Sequence, residues 1–407
     1  MPVTIGRGDC RVTGTQAAAI QAYVTQRLPG YIDELRRLCA IECPTAYKAG
    51  VDAARAWVKR WVAARGWDLR VWPDETVGDS LVVTLPGESS EGPVVLLAAH
   101  LDTVYPVGVA AERPLRQEGD RLIGPGTCDN KSGLLSGLYA MAALQDLNLL
   151  GPLGSIVLVC GGDEETDMRS SGALLREVAP QSTIGLVLEA GRENGDFVAA
   201  RKGAGQFVLT VEGKEAHAGV EPHKGANAIL ALAQQIAALH ALNGIRPGVT
   251  VSVGVVEGGV AANVVPGHAR AVVDVRVARP EDVEPVEEAL RRIATSPFVP
   301  GTKGSLGGQW NGPPMATTPE VAAMAALAEE CARELGFETR GAATGGLSYA
   351  NLLASLGLPV LDGLGPVGGL DHSPEEYILV SSIVPRTALL ALLMWRHAEE
   401  GAGRHVG

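Results

Sequence analysis

Aromatic residues are scarce in this sequence: 6 Trp, 7 Tyr and 4 Phe among 407 residues. A chain so poor in rings is not built around stacking platforms for single-stranded nucleic acid. Basic residues are in short supply too, with 34 Lys and Arg against 46 Asp and Glu and a formal net charge of −12. That balance leaves no electrostatic footprint for nucleic acid or an anionic membrane. The 6 cysteines lie far apart except for Cys39 and Cys43. They are too few for a disulfide scaffold at this length, so reduced thiols are expected. No apolar run approaches the ~20 residues of a membrane-spanning helix. The segment Met1–Cys10 also lacks the basic-then-apolar pattern of a signal peptide. A soluble, cytoplasmic protein is the expectation.

What the chain does contain is Ala, Val, Leu and Gly, with 46% hydrophobic and 20% charged residues, the balance of well-packed globular domains. At this length two or three domains are expected. Helical spacing of apolar residues predicts helices over 16–38, 47–67 and 132–150. Apolar runs predict strands over 80–85, 93–99, 155–160 and 184–188. This is α/β layering with both faces of a largely parallel sheet covered. After Gly203 the order becomes strand 206–212, helix 225–242, strands 249–256 and 268–277, helix 281–294 and strand 302–309. That order is the βαββαβ unit of a ferredoxin-like module. The Gly/Pro-rich stretch Trp310-Asn311-Gly312-Pro313-Pro314 punctuates its end, and helices resume over 319–335, 350–356 and 384–399. The expected organisation is a catalytic α/β domain in two parts, 1–203 and 314–407, interrupted by an inserted domain at 204–313.

Chemistry-bearing residues gather where the strands end. The strand 93–99 runs into His100-Leu101-Asp102, whose alternation puts His100 and Asp102 on one side. His100 is either a strand-end histidine with ordinary hydrogen bonds or a metal ligand whose tautomer Asp102 sets. Gly124-Pro125-Gly126-Thr127-Cys128-Asp129-Asn130-Lys131-Ser132-Gly133 leads into a helix without the spacing of a phosphate-binding loop. Asp129 there is either a helix cap or an acceptor able to bridge two cations. Cys128 is a further nucleophile candidate, though its sequence neighbours include no group to activate it. Asp163-Glu164-Glu165 leaves the strand 155–160 and reads either as a solvated acidic loop or as a metal ligand beside a general base. Glu189 follows the strand 184–188, and His372 stands in Gly369-Leu370-Asp371-His372-Ser373. Open α/β sheets place their sites at such strand ends. Two imidazoles and three carboxylates match what two Zn²⁺ ions take, with Asp129 bridging and a hydroxide between metals roughly 3.5 to 4 Å apart.

The ordered set His-x-Asp, Gly-x-x-Asp-Asn/Asp-Lys, Asp-Glu-Glu, Glu-Ala-Gly and Gly-x-x-His-Ser resembles the dinuclear zinc family of aminoacylases and glutamate carboxypeptidases, from about residue 30 to the end. The resemblance implies a zinc-exopeptidase-like catalytic domain with an inserted ferredoxin-like lid that makes a homodimer. It implies that His100, Asp129, Glu165, Glu189 and His372 hold two Zn²⁺, with Co²⁺ or Mn²⁺ as alternatives. It further implies that Glu164 is the general base and that Asp102 supports His100. His217, in Lys214-Glu215-Ala216-His217-Ala218-Gly219, would stabilise the oxyanion in the other subunit's site. Asn263 and Arg276 would bind substrate, and the remaining histidines, His405 among them, are read as structural.

The implied activity is hydrolysis of an amide next to a free carboxylate, in an N-acyl amino acid or at the C-terminal residue of a short peptide. Two departures bear on the substrate. Gly312 stands where many relatives carry an arginine that anchors a second carboxylate, which weakens a glutamate assignment. Leu347-Ser348-Tyr349 replaces a small-then-Asp step, implying a bulkier and less acidic pocket wall. The alternatives are a dipeptidase or amidase for a substrate without a side-chain carboxylate, a non-catalytic metal- or peptide-binding relative, and a cysteine hydrolase using Cys128.

Overall fold

A computed structural model describes residues 10–404. The leader reading of the first nine residues and the structural assignment of His405 fall outside them. The chain divides into two units, the smaller made of Ala200–Ala316 and Ala343–Leu347. The larger therefore takes in the chain before residue 200, Thr317–Ala342 and everything from Ser348. The divisions fall at 199/200 and 316/317 instead of 203/204 and 313/314, and a short later segment joins the smaller unit. Backbone bonding accounts for both differences. Arg201 exchanges hydrogen bonds with Met315, and the Lys202 N–H donates to the Thr344 carbonyl. The Arg201 guanidinium donates to the Gly346 carbonyl at 3.0 Å.

The larger unit is an α/β layer structure around a six-stranded sheet. Its strand order is Asp68–Trp72, Ser80–Pro86, Ser155–Gly161, Val94–His100, Ile184–Val187, Val360–Leu361. The first two pairings are antiparallel and the remaining three parallel. Central strands covered on both faces read as unbroken apolar runs, and Leu96, Leu97, Ala98 and Ala99 are all fully buried. Each such leucine contributes roughly 1.5–3 kcal/mol by leaving water. On one face lies the helix Ser132–Asp146, itself packed against the helices Cys10–Cys39 and Val380–Arg404. On the other lie Arg169–Val178 and Tyr349–Ser355.

Element ends differ from the pattern for local reasons. The second helix stops at Ala63, and Gly66, with φ +71°, turns the chain into the edge strand Asp68–Trp72 that periodicity does not announce. The helix from Ser132 stops at Asp146, where Asn148 takes φ +55°. A second sheet of four short strands, Gly368–Gly369, Tyr377–Leu379, Arg121–Ile123 and Arg116–Glu118, joins the C-terminal loop to the hairpin before Asp129. Pieces this short carry no periodic signal.

The smaller unit is a ferredoxin-like βαββαβ module. Its sheet runs in the order Thr250–Gly258, His268–Val277, Gly203–Glu212, Lys303–Gly312, all antiparallel. Along His268–Val277 burial alternates strictly, with Ala269, Ala271, Val273, Val275 and Val277 fully buried. The helices Ala228–His240 and Val283–Thr295 pack on the module's own core. Asn227 caps the first by accepting from the Leu230 N–H at 2.8 Å. On the edge strand Thr250–Gly258, Val255 and Val256 are exposed.

Candidate active site

Three neighbouring parallel strands deliver the site. His100 ends the central strand, Glu164 and Glu165 follow the strand on one side, and Glu189 follows the strand on the other. His100 is fully buried. Its Nδ1 lies 3.0 Å from the Asp102 carbonyl oxygen and 3.3 Å from the Asp102 carboxylate, so Nε2 is the nitrogen left to face the site. Asp102 does more than orient the ring. Its carboxylate accepts from the backbone N–H groups of Glu164 and Glu165 at 3.1 and 3.2 Å and from the Thr45 hydroxyl at 2.6 Å. One buried carboxylate thereby holds both the histidine and the acidic turn.

Asp129 lies on the irregular turn before the helix Ser132–Asp146, and the Asp129–Asn130 peptide is cis. That helix has no side-chain cap from Asp129, whose carboxylate instead faces the histidines. The turn is pinned on both sides: the Asn130 amide donates to the Leu188 carbonyl at 3.2 Å and the Lys131 ammonium to the Ile41 carbonyl at 2.9 Å. Gly133 permits this fit, since a Cβ there would come within 1.8 Å of the Leu188 carbonyl oxygen.

The two oxygens of Asp129 part company. Oδ1 is 2.8 Å from His100 Nε2, which is also 3.8 Å from Glu189 Oε1. Oδ2 is 3.1 Å from His372 Nε2, which is also 3.4 Å from Glu165 Oε2. His100, Asp129 and Glu165 each offer a ligand atom within 4.8 Å of one another. His372 reaches in from a loop on which it takes φ +62°, a conformation histidine tolerates better than β-branched residues do.

The electrostatics are those of a site crowded with acids. Burial disfavours the charged form of His100, but Asp102 and Asp129 outweigh it and hold the imidazole well above its usual range. Hydrogen bonds to Asp129 and then Glu165 push His372 up to about 10. Burial drives Glu164 well above the ordinary carboxylate range. His100 opposes that shift, and Glu189, Asp129 and Glu165 add to it. Burial raises Glu165 as well. Its Oε1 is a buried acceptor with no hydrogen-bond partner among the described residues. Buried acids in this number need positive charge, and an acceptor without a donor marks a place for a cation. Two imidazoles and three carboxylates split into two sets about one shared aspartate fit a pair of divalent ions.

Three sequence expectations change here. Of the three adjacent acids, Asp163 is neither ligand nor solvated: it is fully buried and accepts from the N–H groups of Ser170 and Ser171 at 2.7 and 2.9 Å, opening the helix Arg169–Val178. Cys128 is fully buried, and burial followed by Asp371 pushes its thiol well above the usual range, the opposite of an activated nucleophile. Tyr349 is no pocket wall. It is fully buried behind His100, with ring centroids 6.5 Å apart and edge-on. Its hydroxyl fills the space where any Cβ at Gly161 would stand.

Sequence reasoning also passed over Thr45, Tyr105 and Glu376. Nothing local distinguishes Glu376 from Glu375, yet Glu375 is exposed and pairs with Arg116 at 3.2 Å while Glu376 is buried. In the smaller unit His217 and Asn263 come together: the loop segments carrying them form an isolated antiparallel bridge at His217 and Val264, the Ala218 N–H donates to the Asn263 carbonyl, and both residues are exposed. Arg276 forks onto Asp274 at 2.9 and 2.8 Å and reaches the Gly345 carbonyl at 3.2 Å.

An α/β sheet with a two-set His and carboxylate cluster at its strand ends, carrying an inserted ferredoxin-like module, defines a metallopeptidase. The comparisons narrow the class. Residues 199–302 match the peptidase dimerisation domain, and residues 80–237 match peptidase family M28. Carboxypeptidase G2 of Pseudomonas sp. (strain RS-16) is 28% identical over 391 residues, covering 93% of this chain and 91% of that protein. The solved aminopeptidase PepT of Bacillus cereus ATCC 10987 superposes with a TM-score of 0.78 at 24% identity, covering 90% of this chain and 98% of that one. A tripeptidase from Staphylococcus aureus gives 0.74 at 22%, covering 92% and 98%. The chain is therefore similar to carboxypeptidase G2 along nearly its whole length, and its inserted unit matches the M20-type peptidase dimerisation domain. Among the described residues no helix is long and apolar enough to cross a membrane.

Proposed function

We propose that this chain hydrolyses an amide bond next to a free carboxylate, releasing the C-terminal residue of a short peptide or the amino acid of an N-acyl amino acid. The observation that carries the reading is the division of the Asp129 carboxylate between a His100–Glu189 set and a His372–Glu165 set. Two divalent cations held by these five side chains, zinc or alternatively cobalt or manganese, would polarise the scissile carbonyl and acidify the attacking water. Glu164, beside the five but not needed as a sixth ligand, takes the proton from that water and passes it to the leaving amine. Burial moves its carboxyl in the direction such a base and acid requires. Asp102 keeps the Glu164 and Glu165 turn in place while fixing the His100 ring.

His217 stabilises the oxyanion from the second subunit of a homodimer formed through the inserted unit, whose match to a peptidase dimerisation domain supports this reading. Asn263 sits beside His217 and binds the same end of the substrate. Arg276, already oriented by Asp274, offers its remaining N–H groups to the substrate carboxylate. Gly312 favours a second reading, in which the released residue lacks a side-chain carboxylate. The test is a hydrolysis panel of N-acyl-glutamate, N-acyl-alanine, N-acyl-phenylalanine and dipeptides, run with metal-stripped and zinc-reloaded protein. Turnover restricted to reloaded protein and to substrates with a free α-carboxylate is expected. Full turnover by stripped protein, or none on any substrate at a zinc stoichiometry of two, would overturn the reading.

A further inference from the structure

Glu376 is 1% exposed, and three of the four donors that reach its carboxylate come from the turn that carries Asp129. Its Oε1 accepts from the backbone N–H groups of Cys128 at 2.7 Å and Asp129 at 3.0 Å. Its Oε2 accepts from the Gly126 N–H at 3.0 Å and from the Tyr105 hydroxyl. Its own carbonyl takes the Gly124 N–H and the Thr127 hydroxyl. The Tyr105 hydroxyl also lies 2.9 Å from the carbonyl of Ser373, the residue after His372. Three segments therefore meet at one carboxylate: the chain leaving the strand Val94–His100, the Gly124–Asp129 turn and the His372–Glu376 loop.

An ionised carboxylate is acceptor-only, with room for about four donors, and here four converge on it. That leaves no oxygen to take a cation directly, so any effect of Glu376 on the site passes through Asp129 and His372. We propose that Glu376, with Tyr105, is a positioning residue that sets the spacing of Asp129 and His372 and thereby the affinity for divalent cations. The inference rests on Asp129 and His372 being ligands, as argued above. A glutamine at 376 would turn an –NH₂ towards groups that themselves donate, releasing part of the turn, and outer-shell losses of this kind cost about 10–100-fold in metal affinity or activity.

The experiment titrates Zn²⁺ into metal-stripped wild type, Glu376→Gln, Tyr105→Phe, Glu375→Gln and Asp129→Asn against a chromophoric chelator, and records the melting of each stripped protein. Expected are a loss of zinc affinity of about 10–100-fold for Glu376→Gln, a smaller loss for Tyr105→Phe at an unchanged melting temperature, and no change for Glu375→Gln. Should Glu376→Gln fail to fold, Tyr105→Phe decides. Lowered melting temperatures with wild-type zinc affinity in both Glu376→Gln and Tyr105→Phe would reduce the pair to a structural role and overturn the inference. If Asp129→Asn weakens zinc and neither positioning variant does, this inference falls while the site reading stands. If Asp129→Asn leaves zinc binding intact, the site reading itself falls.

Discussion

In the larger unit three of the five ligand-type side chains rest on another buried polar group, while His372 is itself exposed. His100 leans on Asp102, Glu165 hangs from Asp102 by its backbone, and Asp129 is held through Glu376, Asn130 and Lys131. In the inserted unit His217 and Asn263 are exposed, and the His217 ring accepts a hydrogen bond from the Gly219 N–H at 3.2 Å. Under the proposed roles, the contrast separates two duties. Groups that hold cations must keep their geometry before anything binds, and packing plus hydrogen bonds supply that. Groups that meet a substrate must be reachable. The inserted unit pays for reach with looser support.

The largest effect expected of any single change is at Glu164. Glu164→Ala should keep its metal, measured by elemental analysis, while hydrolysis falls about 100-fold or more; equal loss of metal and activity would move Glu164 into the ligand set and blur the contrast. His217→Ala should lose about 100-fold in turnover, the scale of a removed oxyanion donor, with zinc affinity unchanged. Mixed dimers of His217→Ala and Glu164→Ala subunits should recover part of the activity, because one hybrid site regains both groups, and absence of recovery would refute action in trans.

Packing gives a third comparison. Gly133→Ala would drive a methyl against the Leu188 carbonyl oxygen beside Glu189, and should cost about 2–4 kcal/mol in denaturant titration. Gly307→Ala, on an edge strand of the inserted unit where the nearest atom to a new Cβ is 3.9 Å away, should stay within about 0.5 kcal/mol of wild type. Similar losses at both positions would erase the difference in tightness between the units.

The smallest effect concerns a carboxylate clamp outside the site. Asp74 is held down to about 2, chiefly by the Thr76 N–H at 2.7 Å, with the Val77 N–H and Thr76 hydroxyl adding to it. A depressed acid stabilises the fold above its unfolded pKa of about 3.9 and loses that contribution as pH falls towards 2. Asp74→Asn should therefore cost about 1 kcal/mol at pH 6, with the gap to wild type closing between pH 4 and pH 2. A gap independent of pH would show that the carboxylate charge contributes nothing there.

Much of this was legible beforehand because it repeats along the chain. The buried strand 94–99, the period-two strand His268–Val277 and the helix from Ser132 announce themselves by what they must hide. His100, Glu165 and Glu189 stood out as ligand candidates because polar groups follow apolar runs at strand ends, whereas Asp129 and His372 lie on loops and were picked out by the ordered motifs of the family resemblance. What escaped notice was short or non-local. The strands Gly368–Gly369 and Tyr377–Leu379 are too brief to show a period. Glu376, Thr45 and Tyr105 acquire their roles only from partners up to 271 positions away. Tyr349 misled for the same reason: its place in the sequence suggests a pocket wall, but burial behind His100 makes it backing.

By itself the sequence determined the layering, the inserted βαββαβ unit and the kinds of side chain available for cation chemistry, since these follow from hydrophobic period and residue type. Only the tertiary structure decided which acid became a helix cap, which one shares two histidines and which one is spent on backbone N–H groups. Asp163, Asp129 and Glu376 carry the same functional group, and its duty is set by whatever donors the fold brings within about 3 Å.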